Sequence, residues 1–90
     1  MSTVKLPTVL RPSAGGAREI EIEGATIGEV VTSLVERHPT LKQQLLTEEG
    51  DLNRFVNVYV NGQDVRYLAG LETPVGERDE VRLLPAMAGG

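Results

Sequence analysis

The sequence predicts an α+β domain in which a mixed β-sheet wraps one main helix and a short tail follows the last strand. Three observations carry this. Apolar residues alternate with polar ones at Ile20 and Ile22, and again at Val56, Val58 and Val60, which is the period of a half-buried strand. Ile27, Val30, Val31, Leu34 and Val35 instead recur at helical spacing and form a single apolar stripe. The order β-β-α-β-β-β then leaves that one stripe a sheet to bury against.

Taken in order, Val4 and Leu6 alternate with Lys5 and Pro7, and Val9-Leu10 extend the first strand. Pro7 cannot donate to a ladder, so its nitrogen is expected at an edge or a bulge. Residues 11–16 (Arg-Pro-Ser-Ala-Gly-Gly) read as a loop, and Arg18 to Glu23 as a second strand with its glutamates outward, completing a hairpin. Thr26 and Glu29 have capping-box spacing, so the helix is expected from Thr26 to Arg37, where His38-Pro39 stops it. Thr40 to Leu46 suggests a short second helical turn with Leu41 and Leu45 on the core, followed by a polar loop to Asn53. Arg54 to Val60 is the strongest strand, with Phe55, Asn57 and Tyr59 on the face opposite the valines. Asn61-Gly62 signals a tight turn. Gln63 to Tyr67 reads as a short strand, residues 69–78 as irregular, and Asp79 to Leu84 as the last strand, with Val81 and Leu83 inward. The expected division is a domain over 1–85 and a tail over 86–90.

Composition narrows the function. Ninety residues make one small domain, and with only Phe55, Tyr59 and Tyr67 as aromatics its core must be aliphatic. The net charge of −4 argues against nucleic-acid binding. Without cysteine there is no disulfide, zinc-thiolate site or thiol nucleophile. No stretch has membrane-spanning length and the start lacks a signal-peptide core, so a cytoplasmic protein is expected. The single histidine, His38, has no second ligand type near it, and the alternating Glu19, Glu21 and Glu23 read as a solvated strand face; no catalytic or metal site is expected.

What remains is the tail. The sequence closes on Pro85-Ala86-Met87-Ala88-Gly89-Gly90, a thin peptide ending in an unhindered carboxylate. Two glycines at a given pair of positions arise by chance roughly once in eighty at this composition. Extended, the tail reaches about 17 Å at ~3.4 Å per residue, enough to enter a buried active site. Met87 is either an anchor for an apolar pocket or a loosely packed tail residue. Phe55, Tyr59 and Leu84 are apolar on the outer face of the sheet, forming either a docking patch or a surface that a loop covers. Arg66 and Arg82 read as solvated charges or as partners for acidic groups.

The element order with a terminal Gly-Gly resembles the β-grasp, or ubiquitin-like, fold, and the sequence resembles the ThiS/MoaD family of sulfur carriers over essentially its whole length. The most specific pieces are Phe55-Val56-Asn57-Val58-Tyr59-Val60-Asn61-Gly62, Asp64-Val65-Arg66, Leu71-Glu72-Thr73-Pro74-Val75, and Asp79 through Gly90. Leu6-Pro7-Thr8-Val9-Leu10-Arg11-Pro12 and the long loop after the helix are most similar to the actinobacterial branch that carries sulfur for cysteine biosynthesis. Gly76-Glu77-Arg78-Asp79 replaces the tight acidic-glycine turn usual in the family.

The resemblance implies a carrier, not an enzyme, with no bound cofactor. It implies that an E1-like adenylating enzyme of the MoeB/ThiF type uses ATP to activate the Gly90 carboxylate, and that a sulfur donor displaces AMP to leave a thiocarboxylate. Met87, Ala88, Gly89 and Gly90 would enter partner active sites, with Phe55, Tyr59 and Leu84 at the docking surface. The cysteine branch implies a pyridoxal-phosphate-dependent cysteine synthase as acceptor and a metalloprotease that releases the product. Carriers for molybdopterin, thiamin or other thio-metabolites are similar. A non-covalent interaction module and a lysine-linked protein modifier are the readings from other classes. No nucleic-acid or membrane partner is implied.

Overall fold

The centre of the sheet is made by the two ends of the chain. In a computed structural model, which describes residues 1–85, β1 (Ser2–Lys5) runs parallel to β5 (Glu80–Pro85), with Lys5 opposite Arg82. β2 (Glu19–Ile22) lies antiparallel outside β1, and β3 (Val56–Val60) antiparallel on the other side of β5. The short β4 (Gln63–Asp64) closes that edge, giving the order β2-β1-β5-β3-β4. Helix α1 (Ile27–Arg37) packs its stripe of Ile27, Val30, Val31 and Leu34 into a core shared with Val4, Ile20, Ile22, Val58, Val81 and Leu83. This is the β-grasp arrangement expected from the sequence. Expectations for residues 86–90 fall outside the described residues.

The start of α1 is specified locally. The Thr26 side chain accepts from the Glu29 N–H at 3.2 Å, and Glu29 accepts from the Ala25 N–H at 3.1 Å, one residue before the cap's own amide. Gly24 allows the entering chain to press against the first turn: a Cβ there would sit 2.8 Å from the Val30 nitrogen. The far end of the helix stops at His38, whose N–H still reaches the Leu34 carbonyl at 2.8 Å. A 3-10 turn (Pro39–Leu41) and the four-residue α2 (Lys42–Leu45) then bury Leu41 and Leu45, as expected.

β2 and β5 differ from expectation by one residue at each end, and three boundaries differ by more, each for a polar reason. The first strand ends at Lys5, not at Leu10, and Thr8–Ala14 is a 3-10 helix that buries Leu10 and exposes Val9. Pro7 explains the break. Thr3 donates toward β5 and Leu6 toward β2, so the odd residues of β1 face β5. Asn61 donates to the Glu80 carbonyl, so the odd residues of β5 face β1. The next rung would join a residue 7 N–H to the Leu83 carbonyl, and proline has no N–H to give. The strongest strand begins at Val56, not Arg54, because the Asn53 carboxamide accepts from the Phe55 N–H at 2.9 Å and folds residues 53–56 into a turn. Gln63 to Tyr67 is strand only as far as Asp64, whose carboxylate caps a 3-10 turn (Val65–Tyr67) through the Arg66 N–H at 2.9 Å.

Removing the Thr26 hydroxyl should cost about 1 kcal/mol, and truncating fully buried Leu34 to alanine about 2–5 kcal/mol. Urea melts of Thr26→Ala and Leu34→Ala test this ordering, and equal losses would contradict the assignment of Thr26 as a local cap.

Candidate functional site

The tail springs from β5, so the site begins with what holds that strand. Asn61 and Gly62 both have positive φ (50° and 87°), the geometry of the tight hairpin turn read from the sequence. The Asn61 side chain then clamps the start of β5. Its amide donates to Asp79 Oδ1 at 2.9 Å and its carbonyl accepts from the Glu80 N–H at 3.0 Å. Asp79 Oδ2 accepts from the Gly76 N–H at 2.7 Å, closing the Gly76-to-Asp79 turn. The Gly76 hydrogen bond and the Asn61 amide hold the Asp79 carboxyl below its ordinary value. Glu80 is also lowered, first by its hydrogen bond to Lys5, with Arg82 adding to it; the ion pairs are 3.0 and 3.4 Å long. None of these residues except Arg82 stood out as a site residue in the sequence. The Asn-Gly pair announced a turn, but nothing announced that the asparagine side chain would reach across to the last strand.

The outer face of the sheet is a line of charge broken by apolar groups. The strand register aligns Glu19, Lys5, Arg82, Tyr59 and Asp64 across all five strands. Tyr59 is half-buried in this line. Leu84 stands opposite Asn57 and is 37% exposed, and Phe55, in the turn before β3, is 63% exposed with the Arg54 guanidinium 5.5 Å from its ring centroid. Pro85 pairs with Val56, so Phe55 and Leu84 flank the point where the chain leaves the sheet. Tyr59 lies further back, beside Arg82. Arg66 is not simply solvated: its guanidinium donates to the carbonyls of Val56 at 3.1 Å and Asn53 at 3.4 Å, tying the turn after β4 to the start of β3. Tyr67, beside it, is 87% exposed.

Among the described residues no group of three or more His, Asp or Glu is placed to hold a metal ion, and no helix is long and apolar enough to cross a membrane. His38 caps α1 away from any acid cluster. The described residues present a clamped final strand with apolar side chains at its exit.

A sequence model of the ThiS family matches residues 4–90. The chain belongs to the ThiS family. This ThiS family chain is 42% identical to the sulfur carrier protein CysO of Mycobacterium tuberculosis (strain H37Rv) over 90 residues, spanning 98% of the chain and 97% of the relative. It superposes with a TM-score of 0.91 on a chain of the Amycolatopsis orientalis BexX/CysO complex, at 46% identity and complete coverage of both chains. The small archaeal modifier protein 1 of Methanosarcina acetivorans superposes with a TM-score of 0.86 at 35% identity, over 99% of this chain and 95% of that one.

A lowered folded-state carboxyl makes a stability contribution that is complete above the ordinary carboxylate range and is lost as pH falls through the folded value. Asp79→Asn should therefore lower the urea midpoint at neutral pH, and the gap to the unchanged protein should narrow as pH falls below the ordinary carboxylate range. Parallel pH series of urea melts on the two proteins provide the check.

Proposed function

We propose that this ThiS family protein is a sulfur carrier that works through the carboxylate of Gly90, and that it serves cysteine biosynthesis. The observation that carries the reading is 42% identity to CysO along 98% of the chain. An ATP-dependent, MoeB/ThiF-type enzyme joins the Gly90 carboxylate to AMP and releases pyrophosphate. A hydrosulfide-level donor then displaces AMP, and the chain ends in a thiocarboxylate. That group is a soft nucleophile, ionised at neutral pH, and its sulfur attacks an electrophilic carbon held by a pyridoxal-phosphate-dependent acceptor. An S-to-N acyl shift and hydrolysis by a metalloprotease then return the carboxylate. ATP and the acceptor's cofactor belong to the partners, and so does the organic chemistry. This chain acts as their cosubstrate.

The fold supports delivery. The last strand is clamped at Asn61, flanked by β1 over Glu80 to Arg82 and by β3 over Val81 to Pro85, so the tail starts from a strand held to the sheet as far as Pro85. Five residues beyond Pro85 span about 17 Å when extended. Phe55 and Leu84 at the base, with Tyr59 behind them, form the docking surface, and Met87, Ala88, Gly89 and Gly90 are the inserted segment. The absence of cysteine accords with sulfur being installed and not encoded. The similarity to an archaeal modifier protein favours a second reading, in which the activated terminus is transferred to lysines of other proteins.

Incubation with ATP, magnesium, the adenylating enzyme and sulfide should give a mass gain matching replacement of one oxygen by sulfur. A chain extended by one residue after Gly90 should show none. An unchanged intact mass for the natural chain would rule out the carrier reading, and accumulation of lysine conjugates would favour the second one. Phe55→Ala and Leu84→Ala should raise the KM of activation several-fold with melting temperatures little changed, because both side chains are exposed.

A further inference from the structure

The break in the β1–β5 ladder leaves more than a missing rung. Where β1 turns away at Pro7, a cleft of about 480 Å³ opens beside Leu83 and Leu84. Lys5, Arg11, Arg18 and Arg82 all line it, four of the nine Lys and Arg residues in a chain of net charge −4. Glu19 lines it as well, and Glu80 stands beside it, paired with Lys5 and Arg82, so four cations face two carboxylates. Both pairs share Glu80, so the cations exceed the carboxylates by two, and neither pair involves Arg11 or Arg18. Arg11 is fixed by its Nε, which donates to the Leu6 carbonyl at 3.2 Å, and no other hydrogen bond of its guanidinium occurs among the described residues. Arg18 is exposed and makes no side-chain hydrogen bond or ion pair among them.

The cleft is open, and no buried polar side-chain atom among the described residues lacks a partner, so nothing in it is built for a small ligand. A second copy of the chain would bring a like-charged cleft against it. It suits a carboxylate-bearing surface segment, because guanidinium groups with free Nη donors match carboxylates bidentately. Its position at the foot of the tail says whose. An enzyme that adenylates Gly90 must hold ATP, a polyanion, about a tail's length from Pro85. A chain of net charge −4 that also ends in a carboxylate approaches such a mouth against like charge, unless its approaching end is locally positive.

We propose that this cleft docks an acidic segment at the mouth of the adenylating enzyme, with Arg11 and Arg18 as the principal contacts, and turns the carrier tail-first on approach. The inference rests on the carrier reading above. It places a second, ionic contact on the β1 side of the exit, across β5 from Phe55 and with Leu84 shared between the two.

The experiment is steady-state pyrophosphate release by the adenylating enzyme, with Arg18→Glu and the double variant Arg11→Gln/Arg18→Gln as carriers. Arg18→Glu is the primary probe because its side chain makes no hydrogen bond or ion pair among the described residues; thermal melts verify that the double variant, which loses the Leu6 bond, is folded. Each variant should raise KM roughly tenfold with kcat within about twofold, and the rise of KM with added sodium chloride should be shallower than for the unchanged carrier. Unchanged KM and salt slope would overturn the proposal while leaving the carrier reading intact. So would a loss confined to the sulfur-accepting enzyme, which would assign the cleft to that partner. Failure of the unchanged carrier to support any pyrophosphate release would instead defeat the carrier reading, and this proposal with it.

Discussion

Everything in this fold depends on burying one stripe of one helix. Ile27, Val30, Val31 and Leu34 are each worth about 1.5–3 kcal/mol when removed from water, and the sheet's concave face is where they go. With no aromatic residue in the core, the seat is made largely by stiff β-branched side chains, Val4, Val58 and Val81 among them, with Leu83 beside them. Those residues come from the first strand and the last two long strands. Covering the helix therefore draws the two ends of the chain together, and β5 becomes a central strand with neighbours on both sides. The residues after Pro85 therefore follow directly on a central strand of the sheet.

That position divides the labour between backbone and side chains. The Asn61 carboxamide and the Asp79 carboxylate organise the start of β5 without touching anything a partner would see at its end. At the exit, Phe55 lies exposed on the β3 side, the Arg11–Arg18 cleft carries charge on the β1 side, and Leu84 stands between them. Under the carrier reading proposed above, what the domain presents around its terminus is what a partner would select on.

The parts of the fold governed by periodicity were legible in the sequence. The helix stripe, the alternation in β2 and β3 and the Asn61-Gly62 turn all appear where the pattern puts them. The misplaced boundaries were those decided by a single hydrogen bond. Asn53 and Asp64 convert strand-like sequence into turns with their own side chains, and hydropathy does not register that competition. Val9 and Leu10 read as strand because they are apolar, yet the missing Pro7 amide outweighs them. At the site, the apolar residues flanking the exit were visible as an opposite-face pattern. The cationic cleft was not, because Lys5, Arg11, Arg18 and Arg82 are scattered along the sequence and meet only through the parallel pairing of the termini.

The same proline has a consequence for life at high concentration. An exposed strand flank recruits another molecule's strand by offering donors and acceptors in alternation. Beyond Lys5 the flank of β5 can offer the Leu83 carbonyl, but neither Pro7 nor Pro85 supplies an amide proton. A ladder cannot be continued from acceptors alone. β2, the other long flank, carries outward glutamates, and the Arg37 guanidinium already occupies the Glu21 carbonyl at 3.2 Å. Neither long flank thus offers the alternating donors and acceptors that another molecule's strand would need.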